Sequence, residues 1–521
     1  MSPSGRRKEK IYSSISILAR KPCDNPSKNK FNGMNTRIIN LASGSPSPAL
    51  IPVHDIQKAA NTVLSTPSVW EEGLNYGADA GYLPLRQNLA QWLTEFYHDD
   101  RTESSLNEPG RPDAERICVT GGASQNLACI LQSYTDPVYT KAIFVVEPAY
   151  FLSFRVFTDA GFDGKLKGIP EDDEGIDIKI LEQSLHAEAE KYLLEHDNVE
   201  SVKELRPYRK LYRYVIYCVP TFSNPSGRIM SLTRRQQLIQ LARKYNVLVI
   251  ADDVYDFVHW EIEPDEYAHS PSYTPYSQSP SSEERSISSS ISSLSTSTSS
   301  PASRSILPRL VDIDRILDGG PIDKFGNAVS NGSFSKIVGP GCRVGWAEAT
   351  PAFIYGLSQV GSTRSGGAPS QLTSTFINEM LQNGCITRHI QQTLIPSYKR
   401  RLFKLSYAIK QYLIPLGLTL ISTPQVNDVF IGGGFFIWLK LPSPLTAKQV
   451  AAAAQQAAVI VGQGTSSALP EGNVRSTEYN DMLRLCFARV EEELLVEAVL
   501  ILQHSISSCY LIPEALDRAK Y

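Results

Sequence analysis

The chain has 521 residues, 42% of them hydrophobic and 20% charged, which is enough apolar material for a large core and a length that suits two or three domains. Such a balance excludes a chain disordered throughout, a collagen repeat and a small disulfide scaffold. With 51 Lys and Arg against 54 Asp and Glu the net charge is only −3, so no global field draws the protein to nucleic acid or to a membrane surface, and small-molecule partners are expected.

Residues 1–35 carry eight Lys or Arg against Glu9 and Asp24, an acid-poor start that fits either a disordered basic tail or a mitochondrial transit peptide. Further along, Arg116 to Thr120, Ala142 to Val146, Tyr214 to Val219 and Val247 to Ala251 are short β-branched runs that read as buried strands. Helical patterns follow them; from Thr233 to Tyr245, Leu238, Ile239, Leu241 and Ala242 share one side, with Arg or Lys on the other. Strands alternating with helices imply an α/β fold with a mostly parallel sheet flanked by helices. Between 270 and 305, 18 of 36 residues are serine with almost nothing apolar, which predicts a disordered surface insertion, either a tolerated loop expansion or a phosphorylation platform. From about 351 onward the pattern is a long helical region, the strand Gly434 to Leu439 and a last helix from Glu491 to His504, a smaller α+β domain. The expected division is therefore a tail at 1–35, a segment at 36–74 joining the small domain, a large domain at 75–350 and a small domain at 351–521.

No apolar run approaches the roughly 18 residues of a membrane span. Eight cysteines without a CxxC pair read as reduced core residues. A soluble protein is expected, cytoplasmic or, if the basic start is a transit peptide, mitochondrial.

In parallel-sheet proteins function gathers where strands end. After the 247–251 run comes Asp252-Asp253-Val254-Tyr255, either a polar strand exit or a carboxylate and a phenol aimed into one cleft. After the 214–219 run, Asn224-Pro225-Ser226-Gly227 is a turn. Thr120-Gly121-Gly122-Ala123-Ser124 joins a strand to a helix, where backbone N–H groups favour a phosphate. Ser333-Phe334-Ser335-Lys336 leads through Gly339-Pro340-Gly341 to Arg343, in a run with almost no other charge; burial there would lower the lysine pKa toward nucleophilicity.

Taken together and in this order, these loops resemble the class I/II, fold-type I pyridoxal 5′-phosphate-dependent aminotransferases. The likeness spans roughly residues 36–505 and is supported by Asn75-Tyr76-Gly77, Glu147-Pro148-Ala149-Tyr150 and Leu483-Arg484-Leu485. Ser43-Gly44-Ser45-Pro46 and Asp252 to Tyr255 look most like the branch of 2-aminoadipate, kynurenine and aromatic aminotransferases.

The resemblance implies an enzyme that moves an amino group between an amino acid and a 2-oxo acid. By it, Lys336 would form the cofactor aldimine and move the α-proton, and Asp252 would pair with the pyridine nitrogen, with Asp253 and Asp256 as rivals. Tyr255 and Asn224 would meet the cofactor's phenolic oxygen, and Tyr150 would stack on its ring. Gly122, Ala123, Ser124, Ser333, Ser335 and Arg343 would hold the phosphate, and Tyr76 would reach the phosphate site of a second subunit, which implies a homodimer. Arg484 would grip the substrate carboxylate, although in isolation it reads first as a helix-edge salt-bridge residue, and Gly44 would belong to a closing substrate loop or to a plain turn. Two departures stand out: 84 residues separate Asp252 from Lys336, an excess accounted for by the serine-rich stretch, and Val459 to Thr465 lacks the Pro-Gly pair and phenylalanine common in relatives. A lyase or aminocyclopropane-carboxylate-synthase-like enzyme would use the same residues, and a regulator could bind the cofactor without turnover.

Overall fold

A computed structural model describes residues 37–97, 113–194, 201–262, 307–421, 424–469 and 479–511, apart from 365, 368 and 428. The expected basic tail at 1–35 and the serine-rich stretch at 270–305 lie outside the described residues.

An eight-stranded sheet forms the centre, in the order Ile117–Thr120, Gly345–Glu348, Ala328–Ser333, Val247–Ala251, Tyr214–Cys218, Ala142–Glu147, Leu166–Asp172 and Gly175–Ile176. Pairings from Ala328–Ser333 through to Leu166–Asp172 are parallel, while Gly345–Glu348 runs antiparallel to both its neighbours. The β-branched runs form strands because both faces are covered. Side chains alternate along a strand, so Ile143 and Val145 pack on one face with Leu127, Ile130 and Tyr134, whereas Phe144 and Val146 pack on the other with Leu238 and Ile239. Each such fully buried side chain contributes roughly 1.5–3 kcal/mol. Helix Leu232–Lys244 starts where the Ser231 hydroxyl accepts from the Arg234 N–H, and ends with Arg243 and Lys244 in its last turn, where cations suit the helix dipole.

Three smaller sheets lie beyond. Thr419–Leu420, Phe436–Lys440, Met482–Cys486 and Gly462–Gln463 make an antiparallel sheet, on which the helices Ile395–Tyr412, Ala447–Gln456 and Leu494–Leu511 belong to one core. Ile39–Asn40 pairs with Val459–Ile460, and His259–Ile262 pairs with Val429–Gly433. The first pairing stitches an early segment, and the second a central one, to the C-terminal part of the chain.

Local boundaries differ from the sequence reading where glycine intervenes. The helical region after 351 is broken into Pro351–Ser358, Gly361–Arg364, Gln371–Gln382 and a run beginning at Cys385, and Gly384 turns the chain at φ 69°. The strand expected from Gly434 begins at Phe436, because Gly434 adopts φ 62° and turns the chain out of the sheet that holds Val429–Gly433 into the one that holds Phe436–Lys440. The last helix is Leu494–Leu511, beginning three residues later than expected and running past His504.

Candidate active site

Because Gly345–Glu348 is antiparallel to both neighbours, Ile117–Thr120 runs in the same direction as Ala328–Ser333 and the parallel strands beside it. Six strands thus present their carboxyl ends along one edge, and the chemistry-bearing loops follow five of them. They enclose a cavity of about 400 Å³ lined by Gly44, Ala123, Ser124, Tyr150, Asn224, Asp252, Tyr255, Ser333, Ser335, Lys336, Arg343 and Arg484. Apolar walls come from Phe151, Leu152, Val219, Val254 and Phe436.

Lys336 ends a single helical turn, Phe334–Lys336, capped by the Ser333 hydroxyl accepting from the Ser335 N–H. Its Nζ donates to the Gly44 carbonyl at 2.8 Å and sits 5.1 Å from the centre of the Phe435 ring and 5.6 Å from that of Tyr255. Burial lowers its pKa to about 8, with the Arg484 charge acting in the same sense and Asp252 opposing. Roughly a tenth of the amine is therefore neutral at pH 7, far more than for a lysine in water.

Asp252 leaves the end of Val247–Ala251 and faces the cavity; Asp253 and Asp256 do not line it. Asp253 instead accepts from the Ser330 hydroxyl at 2.5 Å, and Asp256 from the Tyr97 hydroxyl at 2.7 Å. Burial raises the Asp252 pKa to about 6, against which the Tyr217 hydroxyl and the Lys336 charge pull it down. Tyr217 donates to its Oδ2 at 2.8 Å and Asn331 Nδ2 to its Oδ1 at 3.2 Å. Neither residue was singled out in the sequence, where both read as strand interior. The polar run Ser330-Asn331-Gly332-Ser333 inside a strand was the one available signal.

At the other end of the cavity, Gly122 caps helix Ala123–Tyr134 at φ 96°, and a Cβ there would lie 2.7 Å from Arg343 Nη2. Glycine at 122 lets the guanidinium lie against the start of the helix. Arg343 donates to the carbonyls of Pro340 at 2.9 Å and Gly121 at 2.5 Å, and itself has a left-handed backbone with φ 51°. Free N–H groups at the helix start, the hydroxyls of Ser124, Ser333 and Ser335, and Arg343 form an anion cradle. Gly122 itself is not on the cavity wall; it acts by making room.

Arg484, on Met482–Cys486, donates from Nη1 to Asn224 Oδ1 at 2.9 Å and from Nη2 to the Ala42 carbonyl at 2.8 Å, and stacks 4.4 Å over the Phe436 ring. Its buried Nε has no hydrogen-bond partner, and no carboxylate among the described residues pairs with it. Gly462, in the segment that departs from the expected pattern, pairs with Arg484, and a Cβ there would meet the arginine Cβ at 3.1 Å and its Nε at 3.3 Å. Tyr150 also faces the cavity; burial raises its pKa, and a hydrogen bond to Ser124 works against this. Tyr76 stands apart: it is 84% exposed and outside the cavity, beside Gly366.

The site thus brings three cations, Lys336, Arg343 and Arg484, against one carboxylate, Asp252. An orphaned guanidinium N–H, a helix start without side-chain cap and a depressed lysine suit a ligand bearing a phosphate, an amine-reactive carbonyl and a ring base. No helix among the described residues is long and apolar enough to cross a membrane, and the seven described cysteines are free.

Comparison with known proteins agrees with the geometry. The family described as "Aminotransferase class I and II" matches residues 36–282. An uncharacterized protein of Saccharomyces cerevisiae is 33% identical over 447 residues, covering 83% of this chain and 89% of that one. Aromatic-amino-acid aminotransferase 1 of Thermococcus litoralis is 26% identical, covering 90% and 88%. Among solved structures, a kynurenine aminotransferase of Pyrococcus horikoshii superposes with a TM-score of 0.65 at 22% identity, covering 90% and 91%, which shows the same fold. The chain belongs to the class I and II aminotransferases, enzymes of the fold-type I α/β architecture.

Proposed function

We propose that the protein exchanges an amino group between an aromatic amino acid and a 2-oxo acid, with pyridoxal 5′-phosphate held in the cavity and Lys336 as its amine partner. The observation that carries this reading is the convergence of a lysine with lowered pKa, a buried carboxylate and two guanidiniums on one cavity. When bound, the cofactor supplies an aldehyde that condenses with amines and a ring that accepts the electron pair left by a departing α-proton.

The chain's own residues account for the rest. Arg343, Ser124, Ser333, Ser335 and the N–H groups after Gly122 would hold the phosphate, and Asp252 would keep a proton on the ring nitrogen. Tyr255 and Asn224 would donate to the phenolic oxygen, and Tyr150 would cover the ring face. Arg484 would orient the substrate carboxylate through its fork of N–H groups, Gly44 lying beside it on the same segment as Ala42. Lys336 Nζ, neutral once freed, would take the proton from the substrate α-carbon and return it at the cofactor carbon.

Phe151, Leu152 and Phe436 give the cavity apolar walls, and no further basic side chain among the described residues lines it to take a side-chain carboxylate. That supports an aromatic donor over 2-aminoadipate. Tyr76, exposed in one subunit, would complete the phosphate site of a second in a homodimer.

The test is a half-reaction: cofactor-loaded protein receives one amino acid with no oxo-acid acceptor. Release of one equivalent of 2-oxo acid per site, fastest with phenylalanine, tyrosine or tryptophan, is the expected result. Continued release of ammonia beyond one equivalent would point to a lyase, and preference for 2-aminoadipate would overturn the donor class.

A further inference from the structure

Asp252 is buried among strand interiors, where a carboxylate can point several ways unless both oxygens are held. Tyr217 holds Oδ2, and the residue on Oδ1 is Asn331. Asn331 is 1% exposed and uses its amide fully: Nδ2 donates to Asp252 Oδ1 at 3.2 Å and to the Ala123 carbonyl at 3.0 Å, and Oδ1 accepts from Asn126 Nδ2 at 2.8 Å. Asn126 is fully buried and lies one turn into the helix whose start forms the anion cradle. Ala123 is the first residue of that helix. One side chain therefore bridges the carboxylate at one end of the cavity and the helix start at the other, five residues before Lys336 on the same stretch of chain.

A buried amide in the middle of a strand costs free energy unless every polar atom finds a partner. Packing alone would favour an aliphatic residue at 331, as at the neighbouring position 329, which is a valine. The bonds of Asn331 go to the two ends of the ligand site, which is where orientation has chemical value.

We propose that Asn331, supported by Asn126, is a positioning residue that fixes the Asp252 carboxylate relative to the phosphate-binding helix start and so sets how the cofactor's ring nitrogen and phosphate are held together. This rests on Asp252 as the ring-nitrogen partner. Asn331 touches neither substrate nor cofactor; it acts through Asp252 and Ala123.

The test is pyridoxal 5′-phosphate affinity of the apo-protein across pH 5 to 9, for the parent, Asn331→Leu, Asn126→Ala and Asp252→Asn, each with its thermal midpoint. Asn331→Leu keeps the volume and removes the donor. Its affinity is expected to fall about tenfold, the scale of one hydrogen bond to a charged group. The acid limb of its binding curve is expected to shift upward, because a carboxylate that loses a donor titrates higher. Asn126→Ala should shift the limb the same way by less, and it serves if Asn331→Leu does not fold. Parent-like affinity and an unmoved acid limb in the folded variants, whatever their thermal midpoints, would overturn the proposal and leave Asn331 a packing residue. If Asp252→Asn itself binds with the parent's pH profile, the assignment of Asp252 fails, and this inference fails with it.

Discussion

Lys336 carries a conflict that its function resolves. A lysine pushed down to about 8 by burial is less stable in the folded chain than it would be in water, since its charged form has lost solvent. Its folded pKa lies below the unfolded value, so between about pH 8 and 10.5 the unfolded chain binds more protons, and apo-protein stability rises with pH through that window. Lys336→Met should therefore abolish transamination while raising the apo-protein's thermal midpoint at pH 7, with the gain fading as pH rises from about 8 to 10.5. Calorimetry at pH 7 and 10 checks this; an equal change at both would show that the amine is not desolvated. Cofactor capture by the parent should accelerate as pH rises through 8, because only the neutral amine attacks the aldehyde. At the neighbouring cation, Arg484→Lys loses the planar fork and should raise KM for the amino acid about tenfold or more without lowering the thermal midpoint, as steady-state kinetics and a melt would read.

At the scale of elements, the site depends on where strands stop. Three of the four motif loops were legible because each follows a β-branched run, and the strands Ile117–Thr120, Val247–Ala251 and their neighbours form from those runs; the loop that holds Lys336 follows the polar strand Ala328–Ser333 and was legible only from its own residues. What the sequence did not disclose is which polar residues within strands face inward. Tyr217 and Asn331 reach Asp252 only because distant strands are brought to adjacent places in the sheet, which no local period encodes. The same blindness covers a buried charge network. Helix Leu310–Ile316, which follows the serine-rich stretch, is pinned to the sheet by Arg309 and Arg315, which share Asp312 and Glu348; Arg309 meets Glu348 at 2.6 Å and Asp312 at 2.9 Å. Glu348 is fully buried, so Glu348→Ala leaves two buried guanidiniums short of an anion and should cost about 3–5 kcal/mol. Urea melts of parent and variant would measure it, and a cost under 1 kcal/mol would show that water replaces the carboxylate.

For the whole molecule, the chain's early segment is woven into its C-terminal part through Ile39–Asn40 against Val459–Ile460, with Ala42 and Gly44 placed against Arg484 and Lys336. Tyr76, 84% exposed, lies off the cavity of its own subunit. If it serves a neighbour's site, Lys336→Ala and Tyr76→Ala subunits complement each other. A dimer mixing the two holds one site with its own Lys336 and a native Tyr76 supplied across the interface. Unfolding and refolding an equal mixture should therefore give activity above the mean of the two parent variants, and activity equal to that mean would contradict a shared site.

The most direct measurement concerns the atom on which the account turns. The protein is loaded with pyridoxal 5′-phosphate, reduced with borohydride, digested and mapped by mass spectrometry. The account predicts a phosphopyridoxyl mass on the peptide containing Lys336 and its absence in Lys336→Ala. The same mass on a different lysine, or on none, would contradict it.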